Sequence, residues 1–232
     1  MSQQVKILAF RGSPRKGGNS TLLLNELVRG AAEAGGTVEE IAVSEVNIRP
    51  CRGCLRCNLA GRCAIRGDEW SILSERILNA DVLVFASPIY FHHFPGPLKN
   101  ILDRFRSFLH VRITEDELIH TPRQQWRKQF ILLLSSGSPG TKDAQPVIDL
   151  FSYLTHELGE GNRLSAIVGT RLAVAGQVGM GLEDLRSLYR KLQIPDHLAD
   201  QDHQRNQMHL KQCYEMGREI GRTGKAINPS IS

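Results

Sequence analysis

Residues 5–24 read VKILAFRGSPRKGGNSTLLL, and the change of pattern inside this stretch sets the fold class. Val5–Phe10 is a short apolar run suited to a strand buried on both faces, and Gly12 and Pro14 end it. An apolar helical pattern then occupies Thr21–Leu27. The intervening loop has the composition of an anion cradle. Its glycines permit close backbone approach, Ser13, Asn19, Ser20 and Thr21 offer hydroxyl or amide groups, and Arg15 adds charge. The following helix presents free N–H groups at its positive end. A phosphate monoester suits these groups. The Walker pattern fails, because Gly12 and Gly17 have the required separation but Gly18-Asn19 stands where Lys-Ser/Thr is needed. The dinucleotide pattern G-x-G-x-x-G finds no match from Gly12 onward.

Working outward, apolar runs recur at Val38–Val43, Val82–Ala86, Phe130–Leu134 and Leu164–Val174, with helical patterns around Trp70–Asn79, Pro97–Leu109, Gln145–Leu158 and Gln204–Thr223. Alternating strands and helices predict an α/β fold with a parallel sheet, helices on both faces and the ligand edge at the strand C-termini. Residues 1–223 are expected to form one domain, with 224–232 as a frayed tail. The stretches 107–127 and 194–206 read as surface linkage; the first is long enough for a lid or an oligomer contact.

The chain has 232 residues, 41% hydrophobic and 23% charged, the balance of an ordinary globular protein. No apolar stretch approaches the roughly 18 residues of a membrane span. The opening MSQQVKILAF has no leader pattern, so a cytoplasmic setting is expected. The formal charge of +5 comes from scattered Lys and Arg without an aromatic-interleaved stripe, which argues against nucleic acid as a partner.

Four of the five cysteines fall within thirteen residues, as Cys51, Cys54, Cys57 and Cys63, in the spacing C-x2-C-x2-C-x5-C. Two-residue gaps let one loop, residues 50–67, wrap several sulfurs around a compact core, as in iron–sulfur sites. Zinc usually requires a second knuckle a dozen or more residues away, and none exists here, although zinc and a simple reduced thiol loop stay open as alternatives. Gly53 and Gly61 suit tight turns between ligands. Cys213, in a helical pattern, reads as a small buried hydrophobe. His92 and His93 read as a surface pair, with proton donation as the functional alternative, and Asp103 and Arg104 as a structural ion pair or an oligomer contact.

Gly12–Thr21, the SPIYF stretch at Ser87–Phe91, PLKNILDR at Pro97–Arg104 and the cysteine run together resemble the NAD(P)H-dependent FMN reductase superfamily, and within it the iron–sulfur flavoproteins. The resemblance spans about residues 5–175. It implies a flavodoxin-like five-stranded sheet of order 2-1-3-4-5. It also implies an FMN-dependent oxidoreductase in which Ser13, Arg15, Asn19, Ser20 and Thr21 hold the phosphate. Pro88, Ile89, Tyr90 and Phe91 would lie along the ribityl chain and ring, and Ser136 and Gly137 would border the ring from the other side. The alternatives are Pro88 as a strand terminator and Tyr90 and Phe91 as core aromatics. Cys51, Cys54, Cys57 and Cys63 would hold a [4Fe-4S] cluster. The expected donors are NAD(P)H or ferredoxin, the acceptor a small molecule such as a quinone, and the assembly a homodimer or homotetramer. A cluster-free NAD(P)H-dependent reductase is the alternative.

Overall fold

The structure is a computed structural model and describes residues 4–226. Its strands, in chain order, are β1 (Lys6–Arg11), β2 (Thr37–Ala42), β3 (Val82–Pro88), β4 (Leu109–Ile113), β5 (Leu118–Pro122), β6 (Gln129–Ser135) and β7 (Arg163–Gly169). Its helices are α1 (Asn19–Glu33), α2 (Arg56–Ala60), α3 (Trp70–Asn79), α4 (Gly96–Arg104), α5 (Gln145–Leu158), α6 (Leu182–Lys191) and α7 (Leu198–Thr223). Five strands pair in parallel as β2-β1-β3-β6-β7, the expected flavodoxin-like order once the separate β4-β5 hairpin is set aside.

The two-residue strand period divides the core between the two sheet faces. Leu8, Phe10, Leu83, Phe85, Phe130 and Leu132 face α3, α4 and α5, while Ile7, Ala9, Val82, Val84, Ile131 and Leu133 face α1 and α7. Each fully buried Leu, Val, Ile or Phe contributes about 1.5–3 kcal/mol. Phe10 and Phe85 stack at 4.9 Å between ring centres. On the other face α1 and α7 approach so closely that a Cβ on Gly217 would lie 2.0 Å from the Leu27 carbonyl oxygen. Cys213 is buried there, as expected.

Several boundaries differ from the sequence reading. Residues 107–127 hold the β4-β5 hairpin rather than plain linkage. The fifth strand stops at Gly169 instead of reaching Val174, because Arg171 turns the chain with φ 54°. The helix expected over Pro97–Leu109 ends at Arg104 and tightens into a 3-10 turn, Phe105–Phe108. Residues 194–206 are largely helical, since α7 begins at Leu198. No described helix is long and apolar enough to cross a membrane. The tail expected at 224–232 lies, from residue 227 onward, outside the described residues.

Candidate functional site

The C-termini of β1, β3 and β6 line up in register, with Arg11 level with Ala86 and Pro88 level with Ser135. Gly12 crosses tightly behind them: its N–H donates to Ala86 O at 2.7 Å, and a Cβ there would sit 2.9 Å from Leu98 Cδ2. At the far end of the loop α1 starts with Gly18 as its cap residue, with no side-chain cap and no acidic residue in its first turn. Its first N–H groups and positive end therefore stay open toward the loop. The hydroxyls of Ser20 and Thr21, 1% and 2% exposed, are buried without a hydrogen-bond partner among the described residues. Leaving such groups unmet costs about 1–3 kcal/mol each. A Cβ on Gly18 would come 2.4 Å from Ser13 Oγ. Two unmet hydroxyls, an uncapped helix end and a glycine-kept hollow fit a phosphate group.

The remaining loop residues divide into different roles. Ser13 Oγ accepts from the Arg15 N–H at 3.2 Å and closes the turn, and the Arg15 side chain is exposed. The Asn19 amide is already committed: Nδ2 donates to Leu172 O at 3.1 Å and Val174 O at 2.8 Å, and Oδ1 accepts from Val178 N at 2.9 Å. It pins the loop after β7 beside the helix start, leaving its own backbone N–H to meet an anion.

After β3 the chain makes a tight turn in which Tyr90 and His93 exchange backbone hydrogen bonds of 2.8 and 3.0 Å. Its two central residues, Phe91 and His92, have φ of 48° and 61°, the left-handed pair of a type I′ turn, where glycine or asparagine is usual. Phe91 is 101% exposed and Tyr90 42%, so neither is a core aromatic. Ile89 N donates to Ser135 O, tying this turn to β6. His92 Nδ1 lies 3.7 Å from Asp143, beyond β6. His93 Nδ1 accepts from the Phe94 N–H at 2.8 Å. Burial, with a smaller effect of Lys99, holds the His93 imidazole below its ordinary range. Ser136 Oγ accepts from Ser138 N at 3.1 Å, and Gly137 is exposed beside it.

A second site lies at the other end of α4. Cys51, Cys54, Cys57 and Cys63 all line one cavity of about 130 Å³, together with Arg104 and Arg106. All four are free thiols. The turns between them use left-handed Gly53, Leu55 and Gly61. Arg106 Nη1 approaches Cys57 Sγ at 3.7 Å, Arg123 donates to the Cys57 carbonyl, and the Asn58 amide donates to Val111 O and accepts from Val111 N. The four thiols are the cavity's only Cys, His, Asp or Glu side chains among the described residues, with the Ser107 hydroxyl, Arg104 and Arg106 beside them, a donor set compatible with an iron–sulfur group. Among the described residues, however, no three His, Cys, Asp or Glu side chains surround a common point that could hold a metal ion. Arg104 is buried against Asp68, Nη1 to Oδ2 at 2.5 Å, whereas Asp103 pairs with Lys99 at 2.6 Å. The sequence reading had joined Arg104 with Asp103 and had not found Asp68, Arg106 or Arg123. The four cysteines of residues 50–67 mark this region in the sequence, but nothing local marks these three partners.

A doubly wound sheet with an uncapped, hydroxyl-lined helix start at its C-terminal edge defines a flavodoxin-like mononucleotide-binding architecture. The family model for NADPH-dependent FMN reductase matches residues 5–170, and the chain belongs to that family. An iron–sulfur flavoprotein of Methanocaldococcus jannaschii is 37% identical over 102 residues, which cover 44% of this chain and 52% of the relative. The chain thus spans about half the length of that protein. A Bacillus subtilis protein provisionally named an NAD(P)H-dependent FMN-containing oxidoreductase is 29% identical over 74% of this chain and 93% of its own. Among solved structures, an NAD(P)H:quinone oxidoreductase from Methanothermobacter marburgensis shares the fold with TM-score 0.60 at 17% identity, covering 97% of this chain and 100% of that one.

Proposed function

We propose that this chain is an FMN-dependent oxidoreductase whose cysteine loop holds a [4Fe-4S] cluster. The reading rests above all on the unmet Ser20 and Thr21 hydroxyls at the uncapped start of α1. Bound FMN would supply two-electron chemistry with NAD(P)H and one-electron exchange with a cluster or ferredoxin. The chain's own part is to bind and orient. Ser13, Ser20, Thr21 and the first N–H groups of α1 hold the phosphate, with Arg15 adding charge from solvent. Asn19 keeps the loop after β7 against them. Pro88, Ile89, Tyr90 and Phe91 lie along the ribityl chain and ring, and Ser136 and Gly137 border its other side. The His93 Nδ1 accepts from Phe94 N, which leaves Nε2 as the ring's proton-bearing nitrogen, and burial shifts the imidazole below its ordinary range.

The cluster part is supported by the four thiols sharing one cavity and by the names of the relatives. A small acceptor such as a quinone, a cytoplasmic setting and a homodimer or homotetramer complete the proposal. A cluster-free NAD(P)H-dependent reductase is the second reading, favoured by the thiols not surrounding one point. Anaerobic purification with flavin, iron and sulfide counted per chain, followed by NADH or NADPH addition, separates the two. FMN with about four irons supports the cluster form, and FMN bleached by NAD(P)H in iron-free protein supports the second. Absence of FMN binding sinks both.

A further inference from the structure

A larger cavity, about 320 Å³, shares Cys63, Ile65 and Ser107 with the cysteine cavity. Its other walls come from α3, the 3-10 turn Phe105–Phe108 and the residues just after β5. None of the residues assigned to the flavin edge lines it. Its volume suits a small ligand. Trp70, Leu78 and Phe108 make its floor apolar. Trp70 and Phe108 are 3% and 6% exposed, with ring centres 5.6 Å apart. The polar atoms of that floor are already met, since Trp70 Nε1 donates to Ser107 Oγ at 3.2 Å and Ser107 Oγ donates to Arg104 O at 2.9 Å. Arg62, Arg66 and Arg123, all exposed, line the same cavity. None of the three meets a carboxylate among the described residues. Arg66 donates to Cys63 O at 3.2 Å. Arg123 is held in place through Nε to Ser107 O at 3.3 Å and Nη2 to Cys57 O, which leaves Nη1 as an available donor. The one acid lining the cavity, Asp68, has a side chain 1% exposed and is paired with Arg104.

We propose that this cavity is a binding site for an aromatic carboxylate, separate from the flavin edge and independent of what the cysteines hold. A cationic rim over an aromatic floor matches a ligand with a flat apolar body and one anionic end. Guanidinium forks pair with carboxylate oxygens, and aromatic rings pack best on other rings. A bare inorganic anion would leave the floor unused, and a neutral hydrocarbon would leave three unpaired guanidiniums. The body packs on Trp70, Leu78 and Phe108, and the carboxylate meets Arg123 with Arg62 and Arg66. Because Arg62 and Arg66 belong to the loop 50–67, occupancy braces that loop against α3.

The test titrates naphthoate by calorimetry into the full chain in excess FMN, so that the flavin edge is occupied. Saturable binding with a Kd of about 1 mM or tighter is expected. Naphthamide, the same body without the charge, is expected to bind about 10-fold more weakly, and inorganic phosphate not to compete. Arg123→Gln is expected to weaken naphthoate about 10-fold. Ser74→Phe, which fills the cavity from α3, is expected to abolish binding. The thermal midpoint reports that each variant is folded. Limited trypsin digestion is expected to cut after Arg62 and Arg66 more slowly in the naphthoate complex. No saturable binding, equal binding of naphthamide, displacement by phosphate or release of FMN by naphthoate overturns the proposal. Unchanged naphthoate affinity in folded Arg123→Gln does the same, and if that variant does not fold, unchanged affinity in Ser74→Phe does so. Cleavage at an unaltered rate in the saturated complex overturns the bracing of the loop.

Discussion

The amide of Asn19, first residue of α1, donates a 2.8 Å hydrogen bond to the carbonyl of Val174, 155 positions away, and so fixes the loop after β7 to the helix end that faces the proposed phosphate cradle. Asn19→Ala would leave the carbonyls of Leu172 and Val174 and the Val178 N–H unmet. At about 1 kcal/mol per lost bond, and more where a group stays buried, the expected loss is roughly 2–4 kcal/mol in denaturant unfolding, together with weaker FMN binding.

Ser20→Ala and Thr21→Val should behave in the opposite way in the apoprotein. Each removes a buried hydroxyl that has no partner, so stability is expected to stay level or rise. FMN affinity should nevertheless fall about 10–100-fold, the worth of a hydrogen bond to a charged group of about 1.5–3 kcal/mol. Fluorescence titration against unfolding curves checks both; unaltered FMN affinity would remove these hydroxyls from the phosphate site.

The left-handed backbone at Phe91 and His92 stores strain of about 1–3 kcal/mol per residue. His92→Gly is expected to stabilise the fold by about 1 kcal/mol, seen as a higher thermal midpoint. Phe91→Gly should likewise relieve strain while reducing flavin retention on dialysis, because it deletes a fully exposed aromatic at the edge proposed to hold the flavin.

Asp202 on α7 is 0% exposed and meets Arg171, Arg205 and the Tyr189 hydroxyl. Burial pushes its carboxyl up, but hydrogen bonds from Arg171 and Tyr189, with the charge of Arg205, outweigh that and hold it below the usual range. A depressed folded value means that the unfolded chain takes up the proton first. The stabilisation is therefore complete above about pH 4 and is lost as pH falls below it. Asp202→Asn should cost about 3–5 kcal/mol at neutral pH and flatten the acid limb of a stability–pH curve.

The sheet strands were legible because each is a continuous Val, Ile and Leu run, and the cradle because Gly, Ser and Thr are concentrated in a few residues. The β4-β5 hairpin escaped notice because it is half exposed and carries His110, Arg112 and Thr121 among its apolar residues. The start of α7 was hidden for a different reason: beside the small Ala199, its buried face is filled by Asp202 and Asn206 rather than by large apolar residues. For α6 a signal existed, with Leu182, Leu185 and Tyr189 at helical spacing, acidic residues first and basic residues last.

By itself the sequence determined the parallel α/β sheet, the phosphate-binding composition of Gly12–Thr21 and the four-thiol spacing, since periodicity and spacing act over a few residues. Tertiary structure alone decided that the Asn19 amide serves Val174, and that Arg104 pairs with Asp68 rather than Asp103 while its Nε and Nη2 have no partner among the described residues. Those partners lie far apart in sequence, and whether a polar group is met or orphaned exists as a physical fact only after packing has removed it from water.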